Sequence, residues 1–229
     1  MDNLDPLSLK QCVRCGACCK KGGPALHRED KELLLAGHFG YQHLITIRKG
    51  EFAYTPVTGR FEPLTTELVK IAWKGGDWSC PFLEPGNNSC SIYAGRPLEC
   101  RLQKCWDTSD LIAAIGINTI VRSDIISPGD EILKVIETHD RECSYPKAEK
   151  LVVSVCGKSE KAENLAKLTK LTRKDISIRF QAMSELGLPE AWELFVFGRP
   201  LFKLLEPLGV MAYEADGRIH LKWRSSCRN

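Results

Sequence analysis

In the last third of the chain, apolar residues recur at helical spacing. Leu165, Leu168, Leu171, Ile178 and Met183 predict one long amphipathic helix over residues 161–186, closed by Gly187 and Pro189. A second helix is expected over 189–205, broken near Gly198 and Pro200. Alternating segments at 210–213 and 219–223 flank Ala215-Asp216-Gly217-Arg218, which reads as a β-hairpin. The first half is patterned in shorter pieces. Residues 28–36 suggest a short helix ended by Gly37, and 43–47 and 51–55 read as strands on either side of Lys49-Gly50. Leu111, Ile112, Ile115 and Ile120 fit a helix over 108–120 that Gly116 weakens. Ser127-Pro128-Gly129-Asp130 forms a turn and N-cap before a helix carrying Ile132, Val135 and Ile136, and 151–155 reads as a buried strand.

The expected class is α+β. An irregular, cysteine-rich metal-binding module with short strands and helices is followed by a helical C-terminal region ending in a β-hairpin. Polarity rises at Gly157-Lys158-Ser159-Glu160, so the division expected is 1–157 and 158–229. The acidic opening Met1-Asp2-Asn3-Leu4-Asp5-Pro6 is followed by no apolar run of signal-peptide type, and no stretch approaches the roughly 18 apolar residues of a membrane helix. A cytoplasmic setting is therefore expected, where thiols stay reduced and no membrane is engaged.

Eleven cysteines change the picture, because eight of them fall between Cys12 and Cys105. In a reducing compartment such clustering points to metal ligation rather than disulfides. The formal charge of +3 treats each cysteine as a neutral thiol. Two four-thiolate sites around divalent ions would each carry about −2 and bring the total to about −1. The charge thus gives no support for nucleic-acid binding, and no basic run is interleaved with aromatics.

The first block is Cys12-Val-Arg-Cys15-Gly-Ala-Cys18-Cys19. Two-residue spacers let a tight loop aim successive sulfurs at one centre, and Gly16 permits the positive backbone angle such loops use. Ferredoxins hold iron–sulfur clusters with C-x2-C-x2-C and a remote cysteine followed by proline, which Cys12, Cys15, Cys18 and Cys80-Pro81 reproduce. Zinc sites share the C-x2-C spacing. Adjacent Cys18 and Cys19 are awkward partners for one small ion and suit a polynuclear centre or two neighbouring sites. Cys80, Cys90, Cys100 and Cys105 supply enough further sulfur for two sets of four, with the partition open. Cys156 reads as a core thiol and Cys227 as an uninvolved one.

These blocks, with Cys80-Pro81-Phe82-Leu83 and Cys90-Ser91-Ile92-Tyr93-x2-Arg96-Pro97-x2-Cys100-Arg101, closely resemble the YkgJ family of cysteine-cluster proteins over about residues 10–145. The resemblance implies chelation of zinc or iron. Gln103 stands where the family commonly has an aromatic. Family members also carry a later cysteine that Cys143 could match, so Cys105 and Cys143 compete for one role. Arg96 and Arg101 are expected to donate to thiolate sulfurs or offset their charge, or else to form surface salt bridges or caps. Phe82 and Tyr93 are expected to pack around the site. His27, His38, His43, His139 and His220 lack a partner at ligand spacing and read as solvated, with His27 the best placed. Asp77, Glu84 and Glu99 lie near the cysteines in sequence without forming an acid–base pair.

Nucleotide-binding and hydrolase motifs are missing from the sequence. The preferred expectation is one or two iron–sulfur clusters of the 4Fe–4S type, serving electron transfer or metal handling, with a protein redox or substrate partner. Structural zinc is the alternative. An enzyme using the centre is a further one, by analogy with flagellin lysine methylases, whose cysteine cluster looks similar.

Overall fold

The computed structural model describes residues 12–74, 78–156 and 161–224, except the side chains of residues 155 and 156. The opening hexapeptide, Asp77, the 157–160 boundary and Cys227 lie outside the described residues, as does the side chain of Cys156. The architecture is α+β, with short antiparallel strand pairs, helices and a terminal hairpin.

After a 3-10 turn at Arg28–Asp30 and helix α1 (Lys31–Leu35), strand β1 (Leu44–Ile47) is buried at all of its positions. Strands β2 (Phe52–Thr55) and β3 (Arg60–Pro63) follow, then β4 (Leu68–Ile71). The two strands flanking Lys49-Gly50 do not pair with each other: β1 pairs with β4 and β2 with β3. Arg48 and Glu51 explain the departure. Their side chains are buried in an ion pair of 3.0 Å, and Arg48 also donates to the Cys143 carbonyl at 3.2 Å. The turn is thereby held against the core, and β1 runs out to a different partner. Two extended segments extend this layer, as Leu26 N–H donates to Val69 O and Ile120 N–H to Leu26 O, both at 2.9 Å.

Helix α2 (Leu98–Leu102) carries Cys100, and α3 (Ser109–Ala114) is shorter than the pattern suggested. The chain leaves α3 before Gly116, and by 119–120 it is extended beside His27 and Leu26. Helix α4 (Arg122–Ile125) precedes α5 (Glu131–Glu142), which Asp130 caps by accepting from Ile132 N–H at 3.0 Å. The strand expected at 151–155 is instead part of helix α6 (Tyr145–Cys156). A short apolar run fits either element, and burial of Tyr145, Ala148 and Val152 at helical spacing against the next helix decides it.

Helix α7 (Lys161–Glu185) is the long helix expected, with Leu168, Thr172, Asp175, Ile178, Arg179 and Ala182 on its buried stripe. Helices α8 (Glu193–Phe197) and α9 (Leu201–Leu205) are the second helical segment, interrupted at Gly198-Arg199-Pro200. Strands β5 (Val210–Ala215) and β6 (Arg218–Trp223) close the chain as the expected hairpin around Asp216-Gly217. The main core unites residues from Leu26 to Leu221, drawing on elements before and after 157–160. Among the described residues, no helix is long and apolar enough to cross a membrane.

Candidate metal centre

Beside the end of β4, one cavity of about 210 Å³ is lined by Cys12, Cys15, Cys18, Cys19, Cys80, Cys90, Cys100 and Cys105. Four short stretches deliver them. The first block curls because Arg14 and Gly16 both take left-handed backbone angles, φ 53° and 74°. A side chain at Gly16 would meet Asn88 Oδ1 at 3.0 Å, so the curled loop sits directly on the turn of the next stretch. That stretch starts at Cys80, whose N–H donates to Cys19 O at 2.7 Å. It then folds back on itself: Ser91 N–H donates to Phe82 O and Glu84 N–H to Ser89 O, pairing Leu83 with Cys90.

Cys100 is fixed through α2 and a buried carboxylate. Asp30 accepts from Leu98 N–H at 2.8 Å and from His27 N–H at 2.9 Å, joining the start of α2 to the chain ahead of α1. On the same helix Glu99 accepts from Ala25 N–H at 2.8 Å and lies 3.3 Å from His27 Nε2. His27 is therefore buried, not solvated; its Nδ1 bonds the Ile117 carbonyl oxygen at 2.8 Å. Cys105 sits in the turn that pairs Lys104 with Asp107, and Asp107 accepts from Ser109 N–H at the start of α3.

The sulfurs crowd one another. Cys18 and Cys19 Sγ are 3.9 Å apart. Burial, then the charge and hydrogen bond of Cys18, push the Cys19 thiol up to about 12. Burial also raises Cys80, although the Phe82 backbone opposes it, and raises Cys100 strongly. Without a counter-ion these groups are neutral thiols, and a cation must displace their protons to bind. Positive charge is already at hand. The guanidiniums of Arg14 and Arg96 lie over the Tyr93 ring at 4.7 and 3.5 Å, and all three residues line the cavity. Burial lowers Lys70 from its usual range, opposed by the charge of Glu99. A donor set dominated by sulfur, with the Glu99 carboxylate also on the lining, suits zinc, iron–sulfur clusters or copper(I), and the residues fit such a group.

The model of the CxxCxxCC family, described as a "Putative zinc- or iron-chelating domain", matches residues 11–143. The chain belongs to this family. No curated protein and no solved structure matches it. Family and cavity together make this a metal-binding protein.

The CxxCxxCC cavity takes in Cys105 but not Cys143. Cys143 is fully buried in the main core beside His139 and Asp175, with the three possible ligand atoms within 4.8 Å of one another. Within that trio the Asp175 carboxylate is already bonded through both oxygens. Asp175 Oδ1 bonds His139 Nε2 at 2.6 Å and Arg179 Nε at 3.0 Å, while Oδ2 accepts from Leu201 N–H at 2.9 Å. Arg179 already pairs with the carboxylate that a metal there would need. His139, like His27, is buried rather than solvated.

Arg96 lines the cavity, with Nε donating to the Tyr93 carbonyl oxygen at 2.8 Å. Arg101 points elsewhere and pairs with Glu29 at the surface. Phe82 and Tyr93 line the cavity as expected. The sequence reading missed Arg14, Asp30 and the contacts of Glu99. Arg14 lies inside the first cysteine block, but nothing in the spacing marks its stacking on Tyr93. The Asp30 and Glu99 contacts join residues about seventy positions apart, which periodicity does not reveal.

Proposed function

We propose that the cavity holds iron–sulfur centres and that the protein serves electron transfer or metal handling in a reducing compartment. The observation that carries this reading is the convergence of eight cysteines, from four separate stretches of chain, on one small cavity. That is more sulfur than one tetrahedral zinc ion uses. The C-x2-C-x2-C run and Cys80-Pro81 both contribute to it, in the manner of ferredoxins. Cys12, Cys15, Cys18 and Cys105 are exposed. A cluster near that rim lies close to solvent, where a protein redox partner can approach it.

Anaerobic purification followed by visible absorption and analysis of iron, zinc and acid-labile sulfide tests the reading. Brown protein with iron and sulfide is the expected outcome. Colourless protein with stoichiometric zinc would replace redox chemistry with a structural zinc role, since zinc is d¹⁰.

A further inference from the structure

The eight sulfurs differ in their surroundings, and the difference divides them evenly. Cys12, Cys15, Cys18 and Cys105 are exposed. Cys19, Cys80, Cys90 and Cys100 are half-buried. Backbone contacts link three of the half-buried set, while the 3.9 Å Cys18–Cys19 sulfur contact joins the two sets. Within the half-buried set, Cys80 N–H bonds Cys19 O, and Cys90 is paired with Leu83, whose N–H donates to Cys80 O at 3.1 Å. Within the exposed set, Cys12, Cys15 and Cys18 share one curled loop, and Cys105 comes from the turn before α3.

We propose that the cavity contains two adjoining four-sulfur metal sites, an inner one of Cys19, Cys80, Cys90 and Cys100 and an outer, exchangeable one of Cys12, Cys15, Cys18 and Cys105. This rests on the reading of the cavity as a metal centre and adds which sulfurs belong together. The charges acting on Cys105 and Cys100 agree with the division, while Cys19 and Cys80 both also feel Cys18. Cys105 feels Cys15, Cys18 and Cys12, whereas Cys100 feels Cys80, Cys19, Cys18 and Cys90. Cys18 acts on both sets, which puts it at the seam, 3.9 Å from Cys19. The adjacent pair thus has a physical use. The pair stands at the start of a 3-10 turn with its sulfurs 3.9 Å apart, so it can place one sulfur in each of two touching sites. Two-cluster ferredoxins do the same when the last cysteine of a run ligates the other cluster.

The two sites also differ in attachment. The inner set includes Cys100, whose helix α2 is fastened to the chain at 25–30 by the Asp30 and Glu99 contacts, and Cys80 and Cys90, which pack against the main core. The outer set rests on a loop and a turn facing solvent. A chelator therefore reaches the outer ion first.

Cadmium binds thiolates tetrahedrally as zinc does and reports each occupied site by ¹¹³Cd NMR, so the partition of sulfurs in the cluster-free chain is read one ion per site. The full chain, purified reduced and loaded with ¹¹³Cd²⁺ alone, is expected to take up two ions with distinct resonances, of which EDTA removes one first. Cys105→Ser should lose that first-removed resonance and keep the other, and Cys90→Ser the reverse. Cys18→Ser should behave like the former and Cys19→Ser like the latter. A 3.9 Å separation is also close to the edge of one tetrahedral ion with metal–sulfur bonds of about 2.3 Å. In that arrangement Cys18→Ser and Cys19→Ser would lose the same resonance, and the partition would be overturned. Bound cadmium giving one resonance, or two removed together from the wild-type chain, would also overturn it while leaving the metal centre intact. A reduced chain that takes up no cadmium would overturn the metal centre itself.

Discussion

Glu99 Oε1 lies 3.3 Å from His27 Nε2, a contact between a residue next to cavity cysteine Cys100 and the chain ahead of α1. The hydrogen bond to Glu99 outweighs burial and raises the His27 pKa above its ordinary 6.5. A histidine raised on folding adds stability that is fully present below about pH 6.5 and is lost as pH rises through its folded value. Glu99→Gln keeps an acceptor for Ala25 N–H but removes the charge. Melting temperature measured from pH 5 to 9 should therefore fall more on the alkaline side for the wild type than for the variant. Parallel curves would show that the pair does not couple folding to pH.

Cys143 and Cys105 were equal candidates in sequence and separate cleanly in space. Cys105→Ser should lower bound metal, because a cavity sulfur is lost. Cys143→Ala should leave metal per chain unchanged and cost on the order of 1 kcal/mol, the typical effect of a core substitution. Metal analysis beside denaturant unfolding distinguishes them. Metal lost from Cys143→Ala with stability intact would return that thiol to the ligand set.

Asp175 on α7 ties α5 and α9 to its own helix through His139 and the Leu201 N–H, and bonds Arg179 one turn on. Burial alone would raise its pKa. The His139 hydrogen bond, the Arg179 charge and the Leu201 N–H overcome this and hold it at about 2, below the ordinary 3.8. A depressed carboxylate contributes stability above its unfolded value, and that contribution disappears as pH falls from about 4 through about 2. Asp175→Asn should flatten the acid limb of stability. It removes one of the two carboxylates paired with Arg179 and leaves Glu193 at 3.0 Å, so the cost should fall below that of a fully broken buried pair, about 3–5 kcal/mol. An acid limb equal to that of the wild type would assign the loss to other carboxylates.

What could be read in the sequence depended on how local its cause was. The stripe on α7, the Asp130 cap and the Asp216-Gly217 hairpin follow from neighbouring residues and appear as expected. Cys12 to Cys19 announce a metal loop for the same reason. The pairing of β1 with β4 was not legible, because it turns on Arg48 reaching the Cys143 carbonyl across 95 positions. Nor was the helix at α6, where an apolar run is ambiguous until α7 packs on it. At the cavity, the sulfurs were visible but their supports were not: Asp30 and Glu99 hold Cys100's helix through backbone groups that any residue carries.

Gly23 tests whether that supporting shell matters as much as the sulfurs. It lines the cavity a few residues after Cys19, and a Cβ there would lie 2.3 Å from the Ile71 backbone oxygen and 2.5 Å from Ile71 Cβ. Neither atom can yield easily, since Ile71 is fully buried at the end of β4 and its N–H donates to Pro24 O at 2.9 Å. Gly23→Ala must therefore push the cysteine loop away from β4. Overpacking of this kind costs about 1–3 kcal/mol, and here the displacement acts on the ligands. The variant should melt lower and retain less metal after a chelator challenge, although every sulfur is present. Conservative changes at an exposed position distant from the cavity, such as Lys203→Arg, should do neither. Wild-type metal retention in Gly23→Ala, together with a lowered melting temperature, would show that the loop can shift without disturbing its sulfurs.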